Sequence, residues 1–148
     1  MDRAALEWAL THRVPHGGWC PKGRTAEDGS IPMRFKLKEA PSTSYSIRTQ
    51  WNVRDSNGTV IFSKTRTLKG GTKQTAIFAR RLRKPCLHLI HSLGVNEAAR
   101  QLTEFLKEQR IVVLNVAGPR ASDQPYLARF VKAVLSKILN QMANSKKR

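Results

Sequence analysis

The stretch that decides the fold is residues 59–90, TVIFSKTRTLKGGTKQTAIFARRLRKPCLHLI. It begins and ends with short apolar runs, Thr59–Ser63 and Cys86–Ile90, whose length is typical of buried strands. Between these runs, apolar and small side chains recur at the i, i+3, i+4, i+7 spacing of one helix face: Thr75, Phe78, Ala79 and Leu82. A strand, a helix and a second strand in this order predict a βαβ unit with parallel strands.

The same alternation continues toward both ends of the chain. A third apolar run, Ile111–Ala117, lies between two helical patterns. Further helices are predicted over about 2–12, 44–54 and 95–109, and from the candidate N-cap Asp123 through Met142. We therefore expect a single domain over residues 1–148, with an α/β fold: a Rossmann-like three-layer sandwich with a mostly parallel sheet.

The composition sets limits on location and on metal binding. No run approaches the roughly 18–20 apolar residues of a membrane span, and the acidic N-terminus does not resemble a signal peptide, so we expect a cytoplasmic protein that has no membrane partner. Cys20 and Cys86 are too few for a disulfide framework and are expected to be free, mostly buried thiols. The nearest histidine and cysteine pairs lack a third close ligand, which disfavours a zinc site.

The charge of the chain is strongly positive. Its 27 lysines and arginines against 10 acids give a formal net charge of +17, so a polyanion should associate with the surface at low salt. The excess is concentrated over residues 64–84, which hold no acid and these cations: Lys64, Arg66, Lys69, Lys73, Arg80, Arg81, Arg83 and Lys84. This segment is interpreted first as a solvated basic face and second as a surface for nucleic acid, bound nonspecifically. Its one aromatic residue, Phe78, belongs to the apolar face of the predicted helix, so no ring lies among the cations for base stacking.

The sharpest local motif is Lys69-Gly70-Gly71-Thr72, between a predicted strand and a predicted helix. Glycines allow a close approach of the backbone to a ligand, and the start of a helix offers free N–H groups and a positive dipole end to an anion. Glycine before a helix also serves in simple tight turns. The surrounding lysines and arginines favour the anion site.

Two further segments are candidates for ligand binding. Gly118-Pro119-Arg120 follows the third apolar run, where loops of a parallel sheet gather ligands and where Arg120 can hold a phosphate; the alternative is an exposed arginine on a turn. The Gly/Pro-rich stretch 15–32 is long for a connection without a function. Its candidate ligand-facing residues are Gly17, Gly18, Trp19, Lys22 and Gly23.

Several stretches of the chain follow one another as they do in one known family: Asp2–Ala9 (DRAALEWA), Gly17–Arg24 (GGWCPKGR), Trp51–Ser56 (WNVRDS), Gly70–Thr72 and Leu114–Ser122 (LNVAGPRAS). On these residues the chain resembles the molybdenum-carrier proteins over nearly its whole length. The resemblance implies a Rossmann-like domain, related to nucleotide-ligand-sensing and phosphoribohydrolase-type folds, that binds the molybdenum cofactor (molybdopterin), a pterin carrying a phosphate.

The resemblance also implies which residues line the ligand cleft. They are Gly17, Gly18, Trp19, Lys22, Gly23, Arg24, Arg48, Asn52, Gly70, Gly71, Thr72, Gly118, Pro119 and Arg120. This set includes all the glycine motifs that the local sequence patterns indicate.

Two departures from the family pattern affect the expectations. Family members begin with a strand and a Ser-Gly-Gly-Gln-Thr-Gly loop before the Asp-Arg-Ala-Ala-Leu helix, whereas this chain opens with Met1 at the end of that loop. The first strand is therefore expected to be missing, and because such a strand is normally interior, its two neighbours are expected to have unpaired backbone groups. The related phosphoribohydrolases carry a glutamate at the position of Thr75, so the carboxylate of that hydrolysis is absent here.

The sequence favours a binding or carrier protein for a phosphorylated small molecule over an enzyme, with no catalytic residue assigned. The alternative from a different class is a hydrolase of a nucleotide-derived substrate, with Asp2, Glu27 or Asp28 as its acid or base. A third alternative is a basic protein that binds nucleic acid nonspecifically. The sequence is compatible with a monomer or a homo-oligomer.

Overall fold

A computed structural model of the protein describes residues 2–26, 29–119, 124 and 126–146. Its helices are α1 (Asp2–Thr11), α2 (Tyr45–Arg54), α3 (Gly70–Arg81), α4 (Gly94–Glu108) and α5 (Leu127–Lys146). Its strands are β1 (Trp19–Cys20), β2 (Thr25–Ala26), β3 (Gly29–Ser30), β4 (Lys38–Glu39), β5 (Gly58–Ser63), β6 (Cys86–Ile90) and β7 (Leu114–Ala117). A single 3₁₀ turn, His91–Leu93, connects β6 to α4.

Strand β5 is the centre of the main sheet, whose strand order is β6-β5-β7. All of its residues are buried, and it pairs in parallel with both neighbours: Ile61 lies opposite His88 of β6 and opposite Ala117 of β7. Continuous apolar runs are typical of parallel strands that are covered on both faces. The predicted α/β fold with a parallel sheet is confirmed.

Helices cover both faces of this sheet and complete three layers. On one face, Val60 and Phe62 of β5 pack with apolar side chains of α4 and α5, and α1 packs against α5. On the other face, α3 packs against β5 and against α2, with Phe78 beside Val53. Because successive residues of a strand point to opposite faces, the single run of β5 contributes to both cores.

Most predicted helix boundaries agree with the structure. The helices expected over about 2–12, 44–54 and 95–109 are α1, α2 and α4, each displaced by no more than about one residue at either end. The predicted N-cap of the last helix, Asp123, lies outside the described residues, in which α5 begins at Leu127 and continues to Lys146.

The third strand is shorter than predicted, since β7 begins at Leu114 rather than at Ile111. The side chain of Asn57 explains the difference: its Oδ1 accepts hydrogen bonds from the amides of Val112 (3.1 Å) and Val113 (2.7 Å). These amides are thereby held in a turn ahead of the strand, and Val112 is 89% exposed despite its apolar character. The apolar run is therefore part turn and part strand.

The expectation of a gap inside the sheet is wrong for the strands that the structure describes. Strand β5 is hydrogen-bonded to β6 on one side and to β7 on the other. No strand position between the three described strands is therefore empty. The edges of the described sheet are β6 and β7. A further strand in this sheet would extend an edge rather than fill the middle.

The N-terminal half contains small pairings that the sequence patterns did not predict. Strand β1 pairs in parallel with β4, and β2 pairs in antiparallel fashion with β3. Cys20 in β1 is buried as expected, whereas Cys86 at the start of the edge strand β6 is exposed, so the expectation of two buried thiols is wrong for Cys86. Across the part of the chain that is described, no helix combines the length and apolarity needed to cross a bilayer.

Candidate functional site

The main sheet brings two glycine-containing loops to the same edge. Because β5 and β7 are adjacent and parallel, the segments that follow Ser63 and Ala117 both leave from its carboxyl edge. The first leads to α3 on one face and the second toward α5 on the other face. In open α/β sheets, ligands bind between segments that diverge in this way. We call the region between the two segments the carboxyl-edge crevice and define it by residues 64–72 and 118–119.

A side-chain contact joins the two sides of the carboxyl-edge crevice. The ammonium group of Lys64, directly after β5, lies 5.5 Å from the centre of the Tyr126 ring, directly before α5. The same ring meets that of His91 edge to face at a centroid distance of 5.3 Å. The segments after β5 and β7 therefore approach each other, with a cation and two rings beside the opening.

The start of α3 forms one wall of the crevice and presents its backbone. Lys69 is the N-cap in an extended conformation and makes no side-chain capping hydrogen bond, and the first turn contains no acidic residue. The nearby hydroxyl groups point inward: Thr72 donates to the carbonyl of Lys69 at 2.7 Å, and Thr75 donates to that of Gly71 at 2.9 Å. The positive end of the helix dipole thus faces the opening without a neutralising side chain.

Both glycines of this wall face open space. Apart from its chain neighbours and the backbone of α3 itself, a Cβ atom built on Gly70 or Gly71 would meet no atom within 4 Å. Gly70 also has a φ of +54°, which side-chain-bearing residues rarely adopt, whereas Gly71 has no such constraint. Neither backbone conformation nor crowding within the protein therefore explains why position 71 is a glycine.

The opposite wall is the exit of β7. Gly118 and Pro119 are both half-buried and directly follow the buried Ala117. Arg120, which the sequence assigned to phosphate binding, lies outside the described residues. The structure therefore brings Gly70, Gly71 and Thr72 to the same sheet edge as Gly118 and Pro119.

A polar pair that the sequence analysis missed lies at the end of β5. Ser63 Oγ is hydrogen-bonded to His88 Nε2 and donates to the carbonyl of Thr65 at 2.8 Å. Burial lowers the pKa of His88, which keeps the imidazole neutral near pH 7. Because Ser63 is only 4% exposed, its hydroxyl serves to fix the first turn of the loop rather than to attack a substrate. The parallel register of the two predicted strands could have indicated the pair.

A second group of predicted site residues is assembled around α2. Asn52 binds the backbone of Trp19 twice, accepting from its N–H at 2.7 Å and donating to its carbonyl at 3.1 Å. Gly18 has a φ of +123°, and a Cβ there would lie 2.9 Å from Asn52 Oδ1. We call Gly18, Trp19, Asn52 and Asp55 the α2 clamp, because these residues hold β1 against α2.

Asp55 completes the α2 clamp electrostatically. Its carboxylate accepts hydrogen bonds from the guanidinium of Arg54 at 2.8 Å and from the indole N–H of Trp19 at 2.7 Å. These two bonds, the first being the stronger cause, lower the pKa of Asp55 from 3.8 to about 2. The Trp19 ring also packs edge to face on Trp51 at 4.7 Å.

Arg24 organises the loop that precedes β4. Its guanidinium donates to four backbone carbonyls, those of Ile31, Pro32, Phe35 and Leu37, at 2.7–3.3 Å. This pattern fixes the loop from inside, and it uses four of the five N–H donors from which a phosphate would otherwise accept hydrogen bonds.

The remaining predicted residues of this half lie near the α2 clamp. Gly23 donates its amide to a carboxylate oxygen of Glu39, and the amide of Lys22 donates to the carbonyl of Ser42. Gly17 is exposed, and Arg48 lies 5.8 Å from the Tyr45 ring centre. The partners in these contacts are Glu39 of β4, Ser42 and Tyr45 of α2, none of which belongs to the carboxyl-edge crevice.

An open groove of about 350 Å³ lies elsewhere, between α1 and α5. Its polar groups already bind one another: the indole N–H of Trp8 donates to Ser136 Oγ at 2.8 Å, and Lys132 pairs with Glu7 at 2.9 Å. The groove therefore offers few free polar groups for a specific small molecule.

Of the residues proposed for the hydrolase alternative, Asp2 is the first residue of α1, and Glu27 and Asp28 lie outside the described ranges. Within those ranges there is also no group of three or more histidines, cysteines and acids that could hold a metal ion.

Comparison with known proteins identifies the family. The structure is similar to a crystal structure described as "Putative molybdenum carrier protein" from Syntrophus aciditrophicus SB, with a TM-score of 0.90 and 43% sequence identity over 93% of this chain and 87% of that chain. No curated protein matches the sequence. The model of the circularly permutated YpsA SLOG family matches residues 1–139. The resemblance seen in the sequence is confirmed, and the chain belongs to the circularly permutated YpsA SLOG family.

Proposed function

We propose that the carboxyl-edge crevice binds the phosphate group of a small molecule and that the protein acts as a carrier or binding protein. The backbone amides of Gly70, Gly71 and Thr72 hold the anion at the positive end of α3. Gly118 and Pro119 form the opposite wall, and Arg120 adds a bidentate cation.

The observation that carries this proposal is the open space at Gly71. A glycine costs up to about 1 kcal/mol relative to alanine in a helix interior, which is an upper bound for Gly71 in the first turn of α3. Gly71 has neither the backbone conformation nor the crowding that would explain a glycine there. A ligand that lies against the backbone at this point supplies the missing explanation, because a Cβ would occupy its place.

The cargo that we propose is the molybdenum cofactor or a nucleotide-like molecule. The solved structural neighbour is named for carrying molybdenum, and the similarity covers most of both chains. Phosphate and molybdate are tetrahedral oxyanions, which uncapped helix N–H groups accept by the same hydrogen bonds. The exposed rings of Tyr126 and His91, beside Lys64, offer apolar surface to the planar part of either cargo.

A carrier role is favoured over hydrolysis by the environment of Thr75. This residue stands where related phosphoribohydrolases have glutamate, and its hydroxyl is buried and bonded to the Gly71 carbonyl. It therefore supports the helix start and supplies no carboxylate to activate water.

The experiment that tests the proposal is calorimetric titration of the purified protein with inorganic phosphate, molybdate and adenosine monophosphate, each against wild type and Gly71→Ala. We expect wild type to bind at least one of these probes and Gly71→Ala to weaken that binding about tenfold or more, which corresponds to about 1.4 kcal/mol. The cause is steric, because the new methyl group points into the crevice.

The matched control is Gly17→Ala, which adds a methyl group to another exposed glycine with an ordinary φ and no close neighbour. It is expected to bind the probes as wild type does. No binding of any probe by wild type, or equal binding by wild type and Gly71→Ala, would refute the proposal. Weakening by Gly17→Ala alone would move the site to the loop of residues 15–32.

A further inference from the structure

We propose that the outward face of α3 is a docking surface for double-stranded nucleic acid, bound through its phosphates and without regard to sequence. The surface is a basic stripe of four exposed cations: Lys69, Lys73, Arg80 and Arg81. This partner is separate from the small molecule of the carboxyl-edge crevice.

The packing of α3 explains why these cations lie away from the sheet. The helix buries Thr72, Thr75, Phe78 and Ala79 against the sheet and α2. With about 100° between successive residues, Lys69, Lys73 and Arg80 fall within about 40° of one another, away from these buried residues, and Arg81 lies about 80° further round the helix from Lys73. The stripe runs ~16 Å along the helix from Lys69 to Arg80 at 1.5 Å per residue.

The charges of the basic stripe are not neutralised within the described protein. Ion pairs between described residues join Arg54 with Asp55, Arg100 with Glu97 and Glu104, and Lys132 with Glu7, all outside residues 64–84. The chain has no acidic residue between Lys64 and Lys84. A row of unneutralised cations of this length lies along a stretch of duplex that carries about ten phosphate charges on its two strands together, at roughly 1.7 Å of axis per charge.

The apolar and aromatic residues of segment 64–84 indicate which polyanion fits the basic stripe: a membrane surface, a single strand or a duplex. The exposed large apolar side chains of the described protein are Leu10, Met33, Tyr45, Val112, Val113, Tyr126 and Met142, none of which lies in 64–84. The face therefore lacks the apolar groups that insert into a membrane surface. The one aromatic residue of the segment, Phe78, is buried, so the basic stripe itself carries no ring to stack on the bases of a single strand. These two features favour the phosphate backbone of a duplex as the partner of the basic stripe.

The test is fluorescence anisotropy with two labelled 20-base-pair DNA duplexes of unrelated sequence, over a range of salt concentrations. The stripe variant is Lys73→Gln/Arg80→Gln/Arg81→Gln, which leaves Lys69 beside the crevice intact. We expect it to weaken duplex binding at least tenfold at low salt and to make the slope of log K against log salt shallower by about 2.7, since each phosphate contact contributes about 0.9. Wild type should bind both sequences equally.

The control variant is Lys36→Gln/Lys107→Gln/Arg129→Gln, which removes the same charge from exposed cations outside α3. It should weaken duplex binding less than threefold. Equal weakening by both variants would overturn the proposal in favour of diffuse net charge. Tighter binding of a single strand of the same length, or stripe-dependent binding of phosphatidylserine vesicles in place of duplex, would overturn the choice of partner. Circular dichroism and thermal unfolding confirm that each variant is folded.

Discussion

The α2 clamp and the carboxyl-edge crevice are both rich in glycine, yet they use it in opposite ways. In the clamp, Gly18 is required by its neighbours, because a Cβ would lie 2.9 Å from Asn52 Oδ1. At the crevice, Gly71 has nothing within 4 Å. The clamp groups bind one another, whereas the start of α3 makes no side-chain cap. The difference teaches that a glycine motif indicates a ligand only where the protein itself leaves its space and its amides unused.

The largest expected effect is a loss of stability when the α2 clamp is broken. Asn52→Ala removes both hydrogen bonds to the backbone of Trp19 and leaves its part-buried N–H and carbonyl without their partner. We expect a loss of about 2–3 kcal/mol in the free energy of unfolding. Urea denaturation measures it, with Gln50→Ala, an exposed change in the same helix, as the control. A loss no larger than that of the control would show that Asn52 does not stabilise the fold.

The second largest expected effect is a difference in stability between two matched glycine substitutions, one in the α2 clamp and one at the carboxyl-edge crevice. Gly18→Ala should lower the free energy of unfolding by about 1–2 kcal/mol, because its φ is +123° and its methyl group meets Asn52. Gly71→Ala should leave it unchanged or raise it by up to about 1 kcal/mol, because alanine favours the helix. Thermal and urea unfolding of both variants measure the contrast. Equal destabilisation by the two substitutions would remove the distinction between clamp and crevice.

The smallest expected effect is electrostatic and depends on pH. The pKa of Asp55 is lowered from 3.8 to about 2, so its contribution to stability is present above about pH 4 and is lost as the pH falls toward 2. Because this side chain is 47% exposed, the contribution should stay below about 1 kcal/mol. Asp55→Asn, which keeps an acceptor for Trp19, should flatten the decrease in stability between pH 4 and pH 2.

The measurement for Asp55 is a series of urea titrations across this pH interval. Glu108→Gln, which removes an exposed carboxylate from the last turn of α4, is the control. A pH profile of Asp55→Asn that matches wild type would show that another group determines the acid sensitivity.

Sequence patterns predicted the main sheet well, because buried parallel strands and amphipathic helices depend on local periodicity. The β5–α3–β6 unit and α4 follow from the spacing of apolar residues alone. The start of β7 could not be predicted, since Val112 and Val113 look like strand residues and are held in a turn by Asn57, which is distant in the chain. The exposure of Cys86 likewise depends on its place at the sheet edge.

The amino-acid sequence by itself determined the fold class, the family and the basic character of α3, because each depends on the order and spacing of residues along the chain. Only the tertiary structure decided which glycine motifs are internally satisfied and which lie at the carboxyl-edge crevice. Hydrogen bonds between residues far apart in the chain, such as those of Asn52 to Trp19, consume the donors of one motif. The parallel pairing of β5 with β7 brings the other motifs to one edge, and a linear pattern contains neither piece of information.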